Sequence, residues 1–276
     1  MEINLFDEDF RHIPFSVHGK ISKKIKYSRD NKVWDGITLF TGRYLSSEIP
    51  KMVQSRYKFA WILECREFSD LPYRSVEASI DLYDKILTHD DELISKFPEK
   101  CVKVPFGGCW IDESNYKVSE KSKNFSMIYS EKNFLTGHKL RHLAADKLKT
   151  TVDLYGKGCS NLIVDKAEAL DDYRFSIVIE NSKAKNYFTE KLLDCFAVGT
   201  IPIYWGAPNI GDYFNTGGIV VVNNIQEIQD AVYNLDESSY VERKASVLDN
   251  FELFREYAIT EDWMYDNVFK EYDKAC

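Results

Sequence analysis

The chain has 276 residues, enough for two domains or one large one. Apolar residues make up 44% and charged residues 29%, a globular balance that excludes fibrous and disordered classes. Acidic residues outnumber basic ones 44 to 36, a net charge of −8, which argues against a protein that coats nucleic acid or an anionic membrane. No run approaches the 18 or so apolar residues of a membrane span, and the acidic start, Met1 to Asp9, is unlike a signal peptide. Six scattered cysteines without a C-x-x-C pair make zinc and disulfide frameworks poor readings. Cys65, Cys109 and Cys195 stand among apolar neighbours and read as small buried hydrophobes. The expectation is a protein of a reducing, cytoplasmic interior with no integral membrane segment.

The first 35 residues read as irregular and polar, with Pro14 and Gly19 as interruptions and the basic run 20–26 as a solvated edge. Strands are expected at 36–41, 57–63, 85–88 and 100–105, the second almost wholly apolar near its end, as in a strand covered on both faces. Asp90 is placed to cap a helix over 91–97. Strand and crossover alternating in this way is the rhythm of a parallel sheet.

The lysine-rich stretch 117–123 lacks apolar periodicity and reads as a linker, after which the rhythm restarts. Strands are expected at 125–129, 151–155, 174–179, 201–205 and 219–222. Helices are expected at 138–148, 187–198, 225–235, 241–257 and 262–274. The reading is therefore α/β, with two Rossmann-like, doubly wound domains facing a cleft. Residues 1–120 form the first domain and 121–276 the second, its last helix able to pack back on the first.

In doubly wound sheets ligands bind beyond the C-terminal ends of strands, so those positions carry the candidate chemistry. After strand 174–179 come Glu180, Asn181 and Ser182, and then a helix start with Tyr187, Glu190 and Lys191. Free amides at a helix start attract phosphate, Lys191 would add a charge, and Glu190 suits sugar or ribose hydroxyls. A capping arrangement with an exposed ion pair explains the same residues. Arg141 lies in the first turns of the helix at 138–148, where a cation opposes the helix dipole unless an anion binds, and its planar fork suits a diphosphate. Glu64 and Glu67 follow the buried strand 57–63, where a carboxylate can act as general base or simply pair with Arg66. Gly156 and Gly158 form a lone G-x-G. Walker A, G-x-S-x-G, H-E-x-x-H and G-x-G-x-x-G patterns are absent, and no metal spacing is found.

Three strings in order, F-S-I-V-I-E-N-S at 175–182, Y-F-T-E-K-L-L-D at 187–194 and G-T-I-P-I-Y-W-G-A-P at 199–208, resemble the α-1,3/1,4-fucosyltransferases of glycosyltransferase family 10. The likeness is firm over this block, extends over 121–276, and is one of layout alone in the N-terminal half. It implies a GT-B fold and an inverting, metal-independent transfer of fucose from GDP-fucose to a glycan hydroxyl. The C-terminal domain would hold the donor and the N-terminal domain the acceptor. Carried over by position, Lys191 and Arg141 face the departing diphosphate, Tyr187 and Glu190 hold ribose or fucose, and Asn181 and Ser182 lie beside the donor. Family members place the base as E-S-P after an N-domain strand. Here the stretch is Trp61-Ile-Leu-Glu-Cys-Arg-Glu, without Ser-Pro, so Glu64 is preferred as base and Glu67 held in reserve. The missing stem and anchor make a soluble bacterial or viral type the expected one. A same-fold transferase using another GDP-sugar and a non-catalytic sugar-nucleotide or glycan-binding protein stay open.

Overall fold

The computed structural model describes residues 1–105 and 107–273; the last residue of the helix expected to end at 274, and Cys276, lie outside the described residues. The chain divides into two compact units, Met1–Phe106 with Ile259–Cys276, and Gly107–Ala258.

The first unit carries six parallel strands: β1 (Glu2–Phe6), β2 (Lys26–Arg29), β3 (Val33–Thr41), β4 (Gln54–Trp61), β5 (Lys85–Thr88) and β6 (Cys101–Lys103), in the spatial order β2-β1-β3-β4-β5-β6. Three helices, α1 (Ile49–Met52), α2 (Leu71–Ala78) and α3 (Asp91–Lys96), lie between strands. The expected cap at α3 is present: Asp90 Oδ1 accepts the Leu93 amide at 2.8 Å.

Strand alternation sends Ile3, Leu5, Ile37, Leu39, Phe59, Trp61 and Leu87 into one apolar cluster. It sends Phe6, Phe40, Ala60, Ile62 and Ile86 into the cluster on the opposite face, under Tyr73, Val76 and Leu93. Each fully buried Phe or Leu contributes about 1.5–3 kcal/mol relative to exposure.

The expectation of an irregular first 35 residues is wrong. β1 is an inner strand of the sheet, and β2 is its edge neighbour. The sequence hides β1 because a buried polar residue, Asn4, breaks its apolar run. The Asn4 amide is satisfied by Asn31 O at 2.9 Å and Thr38 Oγ1 at 3.0 Å, contacts 27 and 34 residues away. The basic run is also not fully solvated, since Lys20 and Ile25 are buried.

The second unit carries five parallel strands: β7 (Lys123–Ile128), β8 (Asp153–Tyr155), β9 (Tyr173–Ile179), β10 (Ile201–Trp205) and β11 (Val220–Val221), in the order β11-β10-β9-β7-β8. Its helices are α4 (Thr136–Leu148), α5 (Glu190–Ala197), α6 (Ile225–Asn234), α7 (Glu237–Glu242) and α8 (Lys244–Tyr257). β9 and β10 are buried throughout, as the near-continuous apolar runs require.

The segment from Gly107 onward already belongs to this unit, ahead of the lysine-rich stretch read as the linker. Cys109 and Ile111 enter its core, and the Trp110 and Ile111 amides donate to Asp194 Oδ1 at 2.7 and 3.3 Å. After α8 the chain returns to the first unit. There α9 (Thr260–Met264), a π turn over Tyr265–Phe269 and α10 (Lys270–Asp273) place Met264, Val268 and Phe269 in the cluster around Ile3 and Phe59.

Candidate active site

Counted within its own unit, each sheet runs 2-1-3-4-5, the first continuing to a sixth strand, so each reverses direction between its first and third strands. At such a reversal the loops leaving two neighbouring strands diverge and open a crevice beyond their C-terminal ends.

In the second unit the reversal lies between β7 and β9. α4 begins so close to the end of β9 that a Cβ at Gly137 would stand 1.8 Å from the Glu180 carbonyl oxygen; only glycine fits. The Gly137 amide donates to Asn181 O at 3.1 Å. One turn on, Arg141 is buried and turned inward, donating from Nε to Ile179 O at 2.8 Å and from Nη2 to Asn181 Oδ1 at 2.7 Å. Burial lowers its pKa, opposed by the charges of Glu180 and Glu190. His138 accepts the Leu135 amide at Nδ1, and burial with the nearby Arg141 charge pushes its pKa down to about 4, so the ring is neutral at pH 7.

The helix expected from 187 begins at Glu190, with Thr189 as its cap. Asn186 takes the left-handed conformation (φ 60°), fixed by Asn209 Nδ2 and the Tyr213 hydroxyl, each donating to its side chain at 2.8 Å. This turn sends Tyr187 and Phe188 into the interior, where both are fully buried, so Tyr187 stands before the helix and not on its first turn. Ser182 is buried and Asn181 half-buried.

A chain of alternating charges follows. Glu180, fully buried, accepts from Thr189 N at 2.8 Å and Thr189 Oγ1 at 2.7 Å, and burial raises its pKa against the pull of Lys191 Nζ at 3.6 Å. Glu190 lies between Lys191 Nζ at 3.3 Å and Lys166 Nζ at 3.4 Å. Burial would raise its pKa, yet the two ammonium groups hold it well below the usual carboxylate range. Lys166 also reaches Asp194 Oδ2 at 2.7 Å.

Sequence reasoning missed Lys166. It stands on the short 3-10 turn Lys166–Ala169, 24 residues before Glu190, in a stretch with no periodicity of its own. Asp194 carried a signal, since it follows Glu190 by four residues and so shares its helix face. The G-x-G after β8 serves packing: Cβ atoms at Gly156 and Gly158 would fall 2.5 Å from Tyr129 O and 2.4 Å from the Tyr129 ring.

In the first unit the reversal lies between β1 and β3. A cavity of about 200 Å³ opens there, lined by Asp9 after β1, Gly42 and Arg43 after β3, Glu64 after β4, and the apolar groups of Leu45, Phe68 and Leu71. Glu64 is half-buried, and its backbone oxygen accepts the Tyr73 hydroxyl at 2.7 Å. Glu67 is exposed and does not line the cavity. Arg66 is bound bidentately to Asp90 at 2.8 and 2.9 Å and to Asp70 at 3.0 Å, over the Tyr73 ring.

Asp9 was not anticipated, because β1 was not. Its partner Asp7 is saturated by the Asp9 and Phe10 amides, Thr41 Oγ1 and Arg29. The Asp9 carboxyl packs on Gly42, where a Cβ would meet Oδ2 at 2.5 Å. Desolvation, followed by the charges of Asp7, Glu64 and Glu8, pushes its pKa up to about 6.

Comparison with known proteins places the C-terminal half of the chain, most of the second unit and the segment that returns to the first. Residues 118–273 match the family model described as glycosyltransferase family 10 (fucosyltransferase) C-term, more than half of the chain. The chain belongs to glycosyltransferase family 10. An α-(1,3)-fucosyltransferase FucT of Helicobacter pylori is 36% identical over 70 residues, 25% of this chain and 15% of that protein. An α-(1,3)-fucosyltransferase B of Drosophila melanogaster is 35% identical over 89 residues, 32% of this chain and 18% of that protein. The matched segments thus span less than a fifth of either relative.

A crystal structure of an α1,3-fucosyltransferase superposes with a TM-score of 0.58 at 16% identity, covering 98% of this chain and 88% of that one. Anabaena HepE in complex with UDP-glucose gives a TM-score of 0.60 at 10% identity, covering 86% and 79%. These likenesses are of fold, and the fold is the GT-B class with two parallel-sheet units that the family resemblance implied. Among the described residues, no helix is long and apolar enough to cross a membrane.

Proposed function

We propose that this member of family 10 transfers fucose from GDP-fucose to a hydroxyl of a glycan acceptor, with inversion at the anomeric carbon and formation of an α-1,3 or α-1,4 linkage. The observation that carries the reading is the paired cation and carboxylate start of α5 beside Arg141, at the sheet reversal of the unit that matches the family.

The second unit holds the donor. Lys191 and Arg141 oppose the charge that develops on the diphosphate as the bond from the anomeric carbon to its oxygen breaks. Glu190 takes the donor's hydroxyls, and Asn181 and Ser182 line the same strand end. Tyr187 supports that surface from the interior. The first unit supplies the base. Glu64 takes the proton from the acceptor hydroxyl, whose oxygen attacks the anomeric carbon while GDP leaves with the bonding electron pair. Glu64 is preferred over Glu67 because it lines a cavity and Glu67 does not.

Thermal unfolding with GDP, UDP, CMP, GDP-fucose and GDP-mannose, each in excess, tests the donor. A ligand at about 100 times its dissociation constant stabilises by about 2.7 kcal/mol. At roughly 2–4 °C per kcal/mol the midpoint rises by several degrees. A rise with GDP and GDP-fucose alone supports the reading. A rise with every GDP species leaves the sugar to be set by turnover assays. No rise with any guanine nucleotide, in a folded sample, overturns it.

A further inference from the structure

The structure gives Lys191 two carboxyl neighbours, Glu180 at 3.6 Å and Glu190 at 3.3 Å. A lysine shared between two carboxylates has little charge left for a third anion. A second cation relieves it. Lys166 Nζ lies 3.4 Å from the same Glu190 oxygen that Lys191 approaches.

Lys166 is itself held from three directions: Asp194 Oδ2 at 2.7 Å, Glu190, and the face of Trp110, with the ammonium 4.4 Å from the ring centroid. The short turn that carries it is closed by a reciprocal cap. The Ala167 amide donates to Asp165 Oδ1 at 2.8 Å and the Asp165 amide to Glu168 Oε1 at 2.9 Å. Burial opposes its charge, but Asp194 and Glu190 hold the ammonium protonated well above its ordinary range.

We propose that Lys166 is a positioning residue of the donor site: by taking up the charge of Glu190 it leaves Lys191 available to the diphosphate. The proposal rests on the donor-site reading given above. It assigns Lys166 no contact with the donor; its effect passes through Glu190.

The test is a cycle of GDP dissociation constants measured by calorimetry on the full chain, for wild type, Lys166→Met, Glu190→Gln and the double variant. Lys166→Met is expected to weaken GDP about tenfold, the worth of one charge-assisted contact. In the Glu190→Gln background the same change is expected to weaken GDP less than twofold, because Lys191 is already released there. Lys166→Arg is expected to restore affinity to within about threefold of wild type. Should Lys166→Met fail to fold, Lys166→Gln replaces it with the same expectations.

An equal loss in both backgrounds, or no loss in either, overturns the positioning role while leaving the donor site intact. A folded wild-type chain that binds no GDP overturns the donor-site reading, and this role falls with it. Loss of thermal stability alone, with unchanged GDP affinity, also overturns the proposal, since that is what a purely structural lysine would produce.

Discussion

The two units share a strand order and a sheet reversal, yet the acids at the two reversals are driven in opposite directions. In the second unit Glu190 sits between two ammonium groups and is held ionised below the usual range. In the first unit desolvation, together with the charges of Asp7, Glu64 and Glu8, raises the pKa of Asp9 to about 6. The comparison teaches that the topology supplies the crevice and the neighbouring charges supply the chemistry. A crevice of paired cations suits an anionic ligand. A crevice of crowded carboxylates beside apolar walls suits proton removal from a neutral hydroxyl.

The largest expected effect breaks the comparison on the acidic side. Glu64→Gln should lower turnover by about 10²–10⁴-fold while the thermal shift with GDP is preserved, as steady-state kinetics and unfolding scans would show. Turnover at the wild-type rate would remove Glu64 as the base and bring Glu67 forward.

A second prediction concerns His89 at the end of β5, which is buried and whose pKa is pushed down to about 4, mainly by desolvation. The unfolded chain binds its proton more tightly than the folded chain, so stability is fully present above pH 6.5 and falls as pH drops from 6.5 to 4. The loss is up to about 3 kcal/mol. Denaturant midpoints across that window should fall in wild type and stay flatter in His89→Gln.

These two predictions also mark what the sequence made legible. The donor-side motif was readable because its residues are contiguous. Thr189, Glu190, Lys191 and Asp194 follow one another on one helix start, and Glu180 to Ser182 leave one strand. The parallel sheets were readable from the apolar runs of β4, β9 and β10. β1 was not, because Asn4 is satisfied by residues far along the chain, and with β1 Asp9 went unseen, although Glu64 on the same cavity was picked out from the end of β4. Lys166 escaped for the same reason: its partners Glu190 and Asp194 are 24 and 28 residues away.

A smaller effect sharpens the comparison from the basic side. Gly137→Ala forces a methyl against the Glu180 carbonyl, which is backbone and cannot rotate away. The cost should be about 1–3 kcal/mol of stability, seen as a lowered unfolding midpoint, with a matching loss of the GDP-induced shift.

The smallest effect belongs to Asp9. Its folded pKa lies above its unfolded one, so the folded chain binds the proton more tightly and stability declines as pH rises from about 4 to 6. Asp9→Asn should therefore be more stable than wild type above pH 6, with the difference fading below pH 4. Because Asp9 is open to solvent on one side, the gain should be modest. Paired unfolding curves at pH 4 and pH 7.5 would check it.

The return of the chain to the first unit has a consequence for biosynthesis. β1 shares its apolar cluster with Met264, Val268 and Phe269, which follow the whole second unit along the chain. The second unit is complete once Ala258 emerges, and its two ends are already tied together, the amides of Gly108 and Cys109 donating to Tyr257 O and Ala258 O at 2.9 Å. Vectorial synthesis therefore lets the inserted unit close on its own while the unit that encloses it waits, with an unfinished apolar face, until the residues after Ala258 have been made.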